Sequence, residues 1–391
     1  MDIKFYSTVM VESIFIYVCF ALIMYTLGRN EWIVSKHSLH STGQIKVKWT
    51  ANSYIMMMFF IIMCGMRYRV GVDCEAYVDM LKQGQSNYHY DRLEPLFRCI
   101  VDALRATVPS RFLYLGLLAS LQIIPFYYAL RKRKYLYPYI GIILIMGPFF
   151  LIWMNGIRQS IAACFFVLAS VCLVDGEKKE RLMAALIILL AAQIHKSAYI
   201  LLVFVFLPIK WDLFKNKYIN IAILIVCAVL GQTDFLRGIL GGYTDIELGV
   251  LYSNYNLELT IAQDSYMPYG PRRIVLLLLS IMTIWFAPEM KKSIKDGFLV
   301  YSFNLFFIHA CLCDNLFSNV SFIFRRPFFY TYPFEMICFA YLLYYLKQRY
   351  KSNSIIYLSS IGLSCLFILI ECYASASVSE ETSLFKFFFL Q

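Results

Sequence analysis

Nucleotide-binding and zinc signatures are missing from this sequence. It has no P-loop, no GxGxxG and no HExxH, so an ATP-driven pump or a soluble-type cofactor enzyme finds no support. Its 12 cysteines are scattered, mostly inside apolar runs, and none forms a CxxC pair. That pattern indicates neither a disulfide framework nor a zinc site. No internal repeat is visible, so the inverted-repeat logic of many transporters does not apply. No small-residue cleavage site follows the first apolar run, Phe5 to Leu27, which reads as a retained span. Charge is also scarce, at 16% of 391 residues.

Apolar length takes its place. The chain is 60% hydrophobic and 17% aromatic, with a mean hydropathy of +0.63. Many uncharged runs approach the ~20 residues needed to cross a bilayer. They are continuous and not alternating, which excludes a β-barrel pattern. The expectation is an all-α polytopic membrane protein forming a single domain over residues 1–391. It has about ten full transmembrane helices plus a re-entrant hairpin. Spans are read near Thr8–Leu27, Ala51–Met66, Phe112–Leu130, Leu136–Trp153, Ile157–Val174, Tyr218–Leu230, Arg273–Ala287, Phe298–Leu316, Phe328–Leu346 and Ile355–Ile370.

Basic loops set the orientation. Arg29–Lys48, Arg131–Lys134, Lys178–Arg181, Lys210–Lys217, Lys291–Lys295 and Lys347–Lys351 are assigned to the cytoplasm. The run Leu182–Leu207 breaks the alternation of sides and is interrupted by Gln193-Ile194-His195-Lys196-Ser197. A hairpin that enters from the cytoplasm and turns at His195 resolves both, and backbone at that depth must be buried in protein or line a wet cavity. An outer segment, 67–111, and an outer loop, 231–272, follow from this topology. Twelve arginines and four lysines then lie outside, against five arginines and fifteen lysines inside. Lysine inside serves as a solvated topology charge. Arginine outside has the planar fork that grips phosphate in two places, although it also suits an interface by snorkelling.

The charges outside fall into short clusters. Gly65-Met66-Arg67-Tyr68-Arg69-Val70-Gly71-Val72-Asp73-Cys74-Glu75-Ala76-Tyr77 follows directly on an apolar run, and its plain reading is an interfacial anchor. Arg67 and Arg69, so close in sequence, are expected to lower the pKa of Asp73 and keep it ionised. From Asp91 to Arg105, apolar residues at i, i+3, i+4 spacing predict an amphipathic helix resting on the outer leaflet, with Pro95 in its first turn and Glu94 before it. Arg158 opens a span, where a charge marks function unless it sits near enough to water to be cheap. His195 is either a hydrogen-bonded core residue or lines a site. Arg272-Arg273 and Arg325-Arg326 mark further outer ends. In the 231–272 loop, Tyr243, Tyr252, Tyr255, Tyr266 and Tyr269 with Asp245, Glu247 and Glu258 suit sugar rings, or simply a folded cap. Together they suggest a cationic outward cavity suited to a lipid-linked pyrophosphate sugar.

Gly65, Arg67, Gly71, Asp73 and Tyr77, then Glu94-Pro95-Leu96-Phe97, then Arg158-Gln159 with Ala162, then His195 with Ser197-Ala198, resemble the EpsG family in order and spacing. The likeness covers Tyr54 to Phe206, and more loosely Arg325–Tyr330. Cys74 stands where the family pattern has tyrosine. The resemblance implies a Wzy-like polymerase of bacterial exopolysaccharide, capsule or O-antigen, related to the GT-C and O-antigen ligase group. Such an enzyme joins undecaprenyl-pyrophosphate-linked oligosaccharide repeat units on the outer face of the cytoplasmic membrane. Its expected partners are that substrate, the bilayer, and the chain-length regulator and flippase of the same pathway, with no nucleic acid.

On this reading Arg67, Arg69, Arg158, Arg325 and Arg326 face pyrophosphate, and Asp73, Glu94 or His195 supplies the base. No clustered acidic pair dictates a metal, so metal-independent chemistry without a cofactor is expected. A flippase of the same lipid would need charges deep in both membrane halves. A membrane O-acyltransferase would present its donor site to the cytoplasm, where mostly lysine loops lie.

Overall fold

A computed structural model describes residues 3–42, 48–87, 90–176, 178–207, 211–233, 236, 270–319, 322–350, 352, 354–377 and 382–390. Nearly all of the 231–272 loop, including its tyrosines and acids, lies outside the described residues. The helices in chain order are α1 (Ile3–Thr42), α2 (Ala51–Met66), α3 (Cys74–Gln83), α4 (Pro95–Thr107), α5 (Arg111–Ala129), α6 (Tyr137–Met146), α7 (Phe149–Asn155) and α8 (Ile157–Asp175). They continue as α9 (Lys178–Ala192), α10 (Val203–Phe206), α11 (Lys217–Leu230), α12 (Pro271–Ile294), α13 (Gly297–Ile308), α14 (Phe322–Arg325), α15 (Tyr332–Tyr350) and α16 (Ile355–Ser377). Side-chain caps start several of them. Thr50 accepts from the amide of Asn52, Ser110 from Leu113, and Asp296 from Phe298, each relieving amides that a helix N-terminus leaves unpaired.

Six described helices are long and apolar enough to cross a membrane, and a seventh crossing arises if α6 and α7 count as one bent span. The chain is thus a multi-pass, all-α protein of the kind expected. Two of the spans read from sequence take a different form. Leu136–Trp153 bends by 64° between α6 and α7, at Gly147-Pro148, where proline cannot continue the hydrogen-bond ladder. Phe328–Leu346 begins as a 3-10 turn, Arg326–Tyr330, and becomes helix only at Tyr332. The Leu182–Leu207 run does reverse. After α9 the chain turns at Gln193–His195, and Lys196–Leu202 returns as a 3-10 helix packed on α9.

The core is aromatic. Trp153, Phe126, Phe60 and Phe150 meet edge-to-face, with ring centroids 5.6–6.2 Å apart, a geometry that adds to simple burial. Apolar side chains also face outward, including Phe206 and Ile355, both 82% exposed, and Val226 on α11. Lipid in place of water suits such a surface. The helix expected to rest on lipid, α4, instead turns its apolar face onto protein. Phe97 and Val101 are fully buried with Tyr77, Leu81, Tyr114, Leu118 and Ile194.

Charged groups gather at the two ends of α8. Arg158 stands at its start and Asp175 at its end, about 26 Å apart at 1.5 Å per residue, close to the ~30 Å hydrocarbon thickness of a bilayer. At the Asp175 end, Arg133 bridges two carboxylates. Its Nη1 and Nη2 donate to Asp175 at 3.0 and 2.8 Å, and its Nε and Nη2 to Asp296 at 2.6 and 2.8 Å. Tyr341 donates to Asp296 as well, at 2.7 Å. Lys134 pairs with Glu31 at 2.6 Å, both side chains fully buried. Arg133 and Lys134, the latter read from sequence as a solvated charge, are structural cross-links between α1, the α5–α6 connection, α8 and α13. Two carboxylates around one guanidinium leave no slack, so Arg133→Ala, which strands both, is expected to destabilise the protein by about 3–5 kcal/mol. Thermal unfolding in detergent checks this, and a melting temperature equal to wild type would contradict it.

Candidate functional site

The second charged layer is assembled by a turn, a helix start and a hairpin. After α2, Arg67 and Tyr68 form a short strand paired antiparallel with Lys386 and Phe387 near the C-terminus. The chain then turns through Arg69 at φ +53° and Gly71 at φ +93°. A side chain at Gly71 would come within 2.7 Å of the Met154 carbonyl oxygen, so both the backbone angle and the close approach require glycine. The Gly71 amide donates to the Thr382 carbonyl at 2.8 Å, and the Val72 amide to Asn155 Oδ1. These contacts seat Asp73 at the start of α3 beside the α7–α8 junction.

Glu94 is the hub. Its position just before Pro95 holds the backbone extended, as a residue preceding proline prefers, and points the carboxylate at α8 and the hairpin turn. Arg158 Nη1 donates to Glu94 Oε2 at 2.5 Å. The Lys196 amide donates to Oε1 at 2.9 Å, and His195 Nδ1 stands 3.5 Å from the same oxygen. The Leu96 amide donates to the Gln193 carbonyl at 3.2 Å, fastening α4 to the turn. Burial alone would raise the Glu94 carboxyl, but the hydrogen bond with His195, the Arg158 charge and the Lys196 amide outweigh it and hold the group at about 2. It is therefore ionised and fully engaged.

The remaining groups close around this hub. The Tyr77 hydroxyl accepts the Arg158 amide at 3.4 Å, and the Phe97 ring lies 5.6 Å from the Arg158 guanidinium carbon. Gln159 donates to the Arg326 carbonyl at 2.8 Å. Ser197 Oγ and Tyr330 Oη are 2.6 Å apart, and the Tyr330 ring packs near His195. Asp73 carries no ion pair among the described residues. Its nearest cationic influences are Arg326 and Arg158, yet partial loss of hydration raises its carboxyl above the ordinary range. This corrects the expectation that neighbouring cations would lower it. The side chain is exposed on one side, so the acid stays within reach of solvent and ligand.

The structure thus brings together Asp73, Glu94, Arg158, His195 and Arg326, and separates others from them. Arg67, close to Asp73 in sequence, turns inward. It is 1% exposed, its Nη1 donates to the Cys64 carbonyl at 3.0 Å, and its Nε and Nη2 have no hydrogen-bond partner among the described residues. Arg69 lies 5.2 Å from the Tyr68 ring. Arg325 faces a different cavity, shared with Arg273 and Asp314. The tyrosine Tyr330 and the pair Arg111–Glu75, at 2.7 Å, do not stand out in the sequence as site residues. An arginine beside a helix-capping serine, Ser110-Arg111, was the available signal for the second.

No curated protein and no solved structure matches this chain. The model of the EpsG family matches residues 52–389, which takes in every residue of the hub and the C-terminal strand that braces its turn, and the chain belongs to the EpsG family.

Proposed function

We propose that the protein polymerises undecaprenyl-pyrophosphate-linked oligosaccharide repeat units into a surface polysaccharide, as a GT-C-like membrane glycosyltransferase. Family membership points to repeat-unit polymerisation in polysaccharide biosynthesis. The observation that carries the reading to this chain is the hub itself: two arginines, an ionised glutamate, a histidine and a solvent-reachable aspartate at one end of a membrane-sized bundle. On this reading about ten segments cross the bacterial cytoplasmic membrane, the shorter helices α2 and α11 among them. The hub faces outward, and the pathway's flippase and chain-length regulator are partners.

The chemistry is a glycosyl transfer. A hydroxyl of one repeat unit attacks the anomeric carbon of the sugar joined to pyrophosphate on another. A glycosidic C–O bond forms, the bond to pyrophosphate breaks, and lipid pyrophosphate leaves with the electron pair. Arg158 and Arg326 stabilise the charge that grows on it. The hydroxyl proton goes to a base, and Glu94 is ill suited to that work because a carboxylate held at about 2 has little proton affinity near neutrality. Its role is positioning: it fixes the Arg158 fork and orients the His195 ring. Asp73, with its raised carboxyl, is the base, and His195 lies across the hub as a hydrogen-bonding group for the acceptor.

Deletion of the protein is expected to leave single repeat units on the lipid carrier at the outer face. Units retained at the inner face would indicate a flippase, and long chains lacking acetyl groups an acyltransferase. Orientation has its own check. Cysteines placed at Lys132 and Lys215 in a cysteine-free background are expected to resist an impermeant thiol reagent in intact cells. Labelling at Lys215 would overturn the hairpin topology.

Two substitutions separate the roles. Asp73→Asn is expected to lower turnover by about 10²–10⁴-fold, with protein level and lipid-linked substrate binding near wild type. Because a base works deprotonated, wild-type turnover should fall as pH drops through the raised Asp73 value, and the variant should lose that limb. Arg158→Lys keeps the charge and the Glu94 pair but loses the two-pronged geometry. It is expected to cost about 10²-fold in turnover, read as polymer formed per folded protein, and full-length polymer at the normal rate would reduce Arg158 to an anchor.

A further inference from the structure

A second buried cluster lies within the bundle, outside the hub. After α13 the chain continues as a π-helix, His309–Leu316. The i→i+5 repeat of a π-helix sets residue 314 one turn above residue 309 and residue 313 just short of it, so both side chains flank the histidine. His309, Cys313 and Asp314 offer donor atoms that all lie within 4.8 Å of one another. Asp314 Oδ1 is 3.5 Å from His309 Nε2, and Glu335 of α15 stands at the margin of the group, its Oε2 3.8 Å from the same nitrogen.

Four features bear on a cation at this cluster. First, His309 Nδ1 is 2.9 Å from the Phe328 carbonyl oxygen. A carbonyl only accepts, so Nδ1 carries the proton and Nε2 turns its lone pair toward the two carboxylates, as an outer-shell partner does for a metal-ligating histidine. Second, 3.5 and 3.8 Å are long for charge-assisted hydrogen bonds. The first, between Asp314 and His309, matches the ~3.3–3.8 Å edge of a tetrahedron built with bonds of about 2.0–2.3 Å to N, O and S. Third, Glu335 is 2% exposed and its carboxyl shares a hydrogen bond with that of Asp314, the place of an outer-shell partner that orients a ligating carboxylate. Fourth, a cavity of about 60 Å³ lined by Arg273, Asp314 and Arg325 adjoins the cluster. It sets two guanidiniums beside the acids of the cluster.

We propose that His309, Cys313 and Asp314, with Glu335 as the outer partner of Asp314, form a buried site for a divalent cation of the zinc class. The mixed nitrogen, sulfur and oxygen donors select Zn²⁺ over the hard ions Mg²⁺ and Ca²⁺. The contacts of His309 run to Phe328, Thr331, Asp314 and Glu335 and not to Asp73, Glu94, Arg158 or His195, so the glycosyl transfer at the hub does not pass through the site. Its consequence for the hub is mechanical. Phe328 lies in the 3-10 turn that carries Arg326 and Tyr330, and Thr331 Oγ1, just after that turn, is also 3.1 Å from His309 Nδ1. A cation on Nε2 holds the ring that holds this turn.

The test is metal content of the full-length protein, purified in detergent with a tag free of histidine and washed with a mild chelator. About one equivalent of zinc per chain is expected, falling below about a tenth in Cys313→Ser and in Asp314→Asn. After exhaustive chelation the wild-type melting temperature should drop and return on adding Zn²⁺ alone, while the two variants should not respond. Wild-type protein that carries no zinc and shows no thermal response to Zn²⁺ would overturn the site and leave an ion-paired histidine between two acids. Zinc retained at one equivalent in both variants would overturn it equally, by placing the metal elsewhere.

Discussion

One carboxylate ties together three parts of the chain that lie far apart in sequence. Glu94 receives Arg158 from α8 and the Lys196 amide from the hairpin turn, with His195 beside it. A buried ion pair is a poor source of stability, since desolvation offsets most of its attraction. What it supplies is register. If Glu94 moved by one residue, α4 would lose its Pro95 start and the hairpin its anchor at the Lys196 amide. The packing beneath is consistent with this constraint: Phe97 and Val101 press on Tyr77, Tyr114 and Ile194, and so hold the helix that delivers Glu94. Function and fold share the same few contacts here, and the rest of the bundle serves to keep them aligned.

The two charged layers answer different needs. At the Asp175 end, Arg133 and Lys134 are saturated by carboxylates and buried. Neither cation is free to bind a ligand, and the layer works as a clamp. At the other end, among the described residues, Asp73 carries no ion pair and Arg158 keeps its Nε without a hydrogen-bond partner. On the proposed function, a site that grips a pyrophosphate needs donors that its own protein has not used up. This contrast, more than the number of arginines, favours the Arg158 end as the one that acts.

The class of fold and most of the hub residues were legible in the sequence, because both are local signals. Apolar length marks a span, and a charge beside or inside one marks a cost that needs a reason. Which charges meet was not legible. Glu94 and Arg158 are 64 residues apart, and nothing in periodicity couples them. Proximity in sequence also misled at Arg67, which lies shortly before Asp73 but faces the bundle core. The cause is the pairing of Arg67–Tyr68 with Lys386–Phe387, followed by the left-handed turn at Arg69 and Gly71, and the C-terminal segment carries no local hint of that role. Arg131–Lys134 misled in the same manner. The positive-inside rule counts such residues but does not say whether they are solvated, and the acids that bury Arg133 and Lys134 come from Asp175, Asp296 and Glu31.

His309, Asp314 and Glu335 were hidden for another reason. Metal sites are recognised by spacing through repeated cysteines or paired histidines on regular helices, and here the ligands come from a single π-helix. Yet each is an ionisable residue in a long apolar run, and the cost of that placement follows from the sequence alone. Three such residues in adjacent spans are expensive separately and inexpensive together, since a shared partner meets the needs of all. The turn that presents Arg326 and Tyr330 to the hub is held through the Phe328 carbonyl to His309. Its position therefore depends on how the His309 cluster is satisfied. Selection that preserves the hub must then also preserve a cluster that touches no substrate.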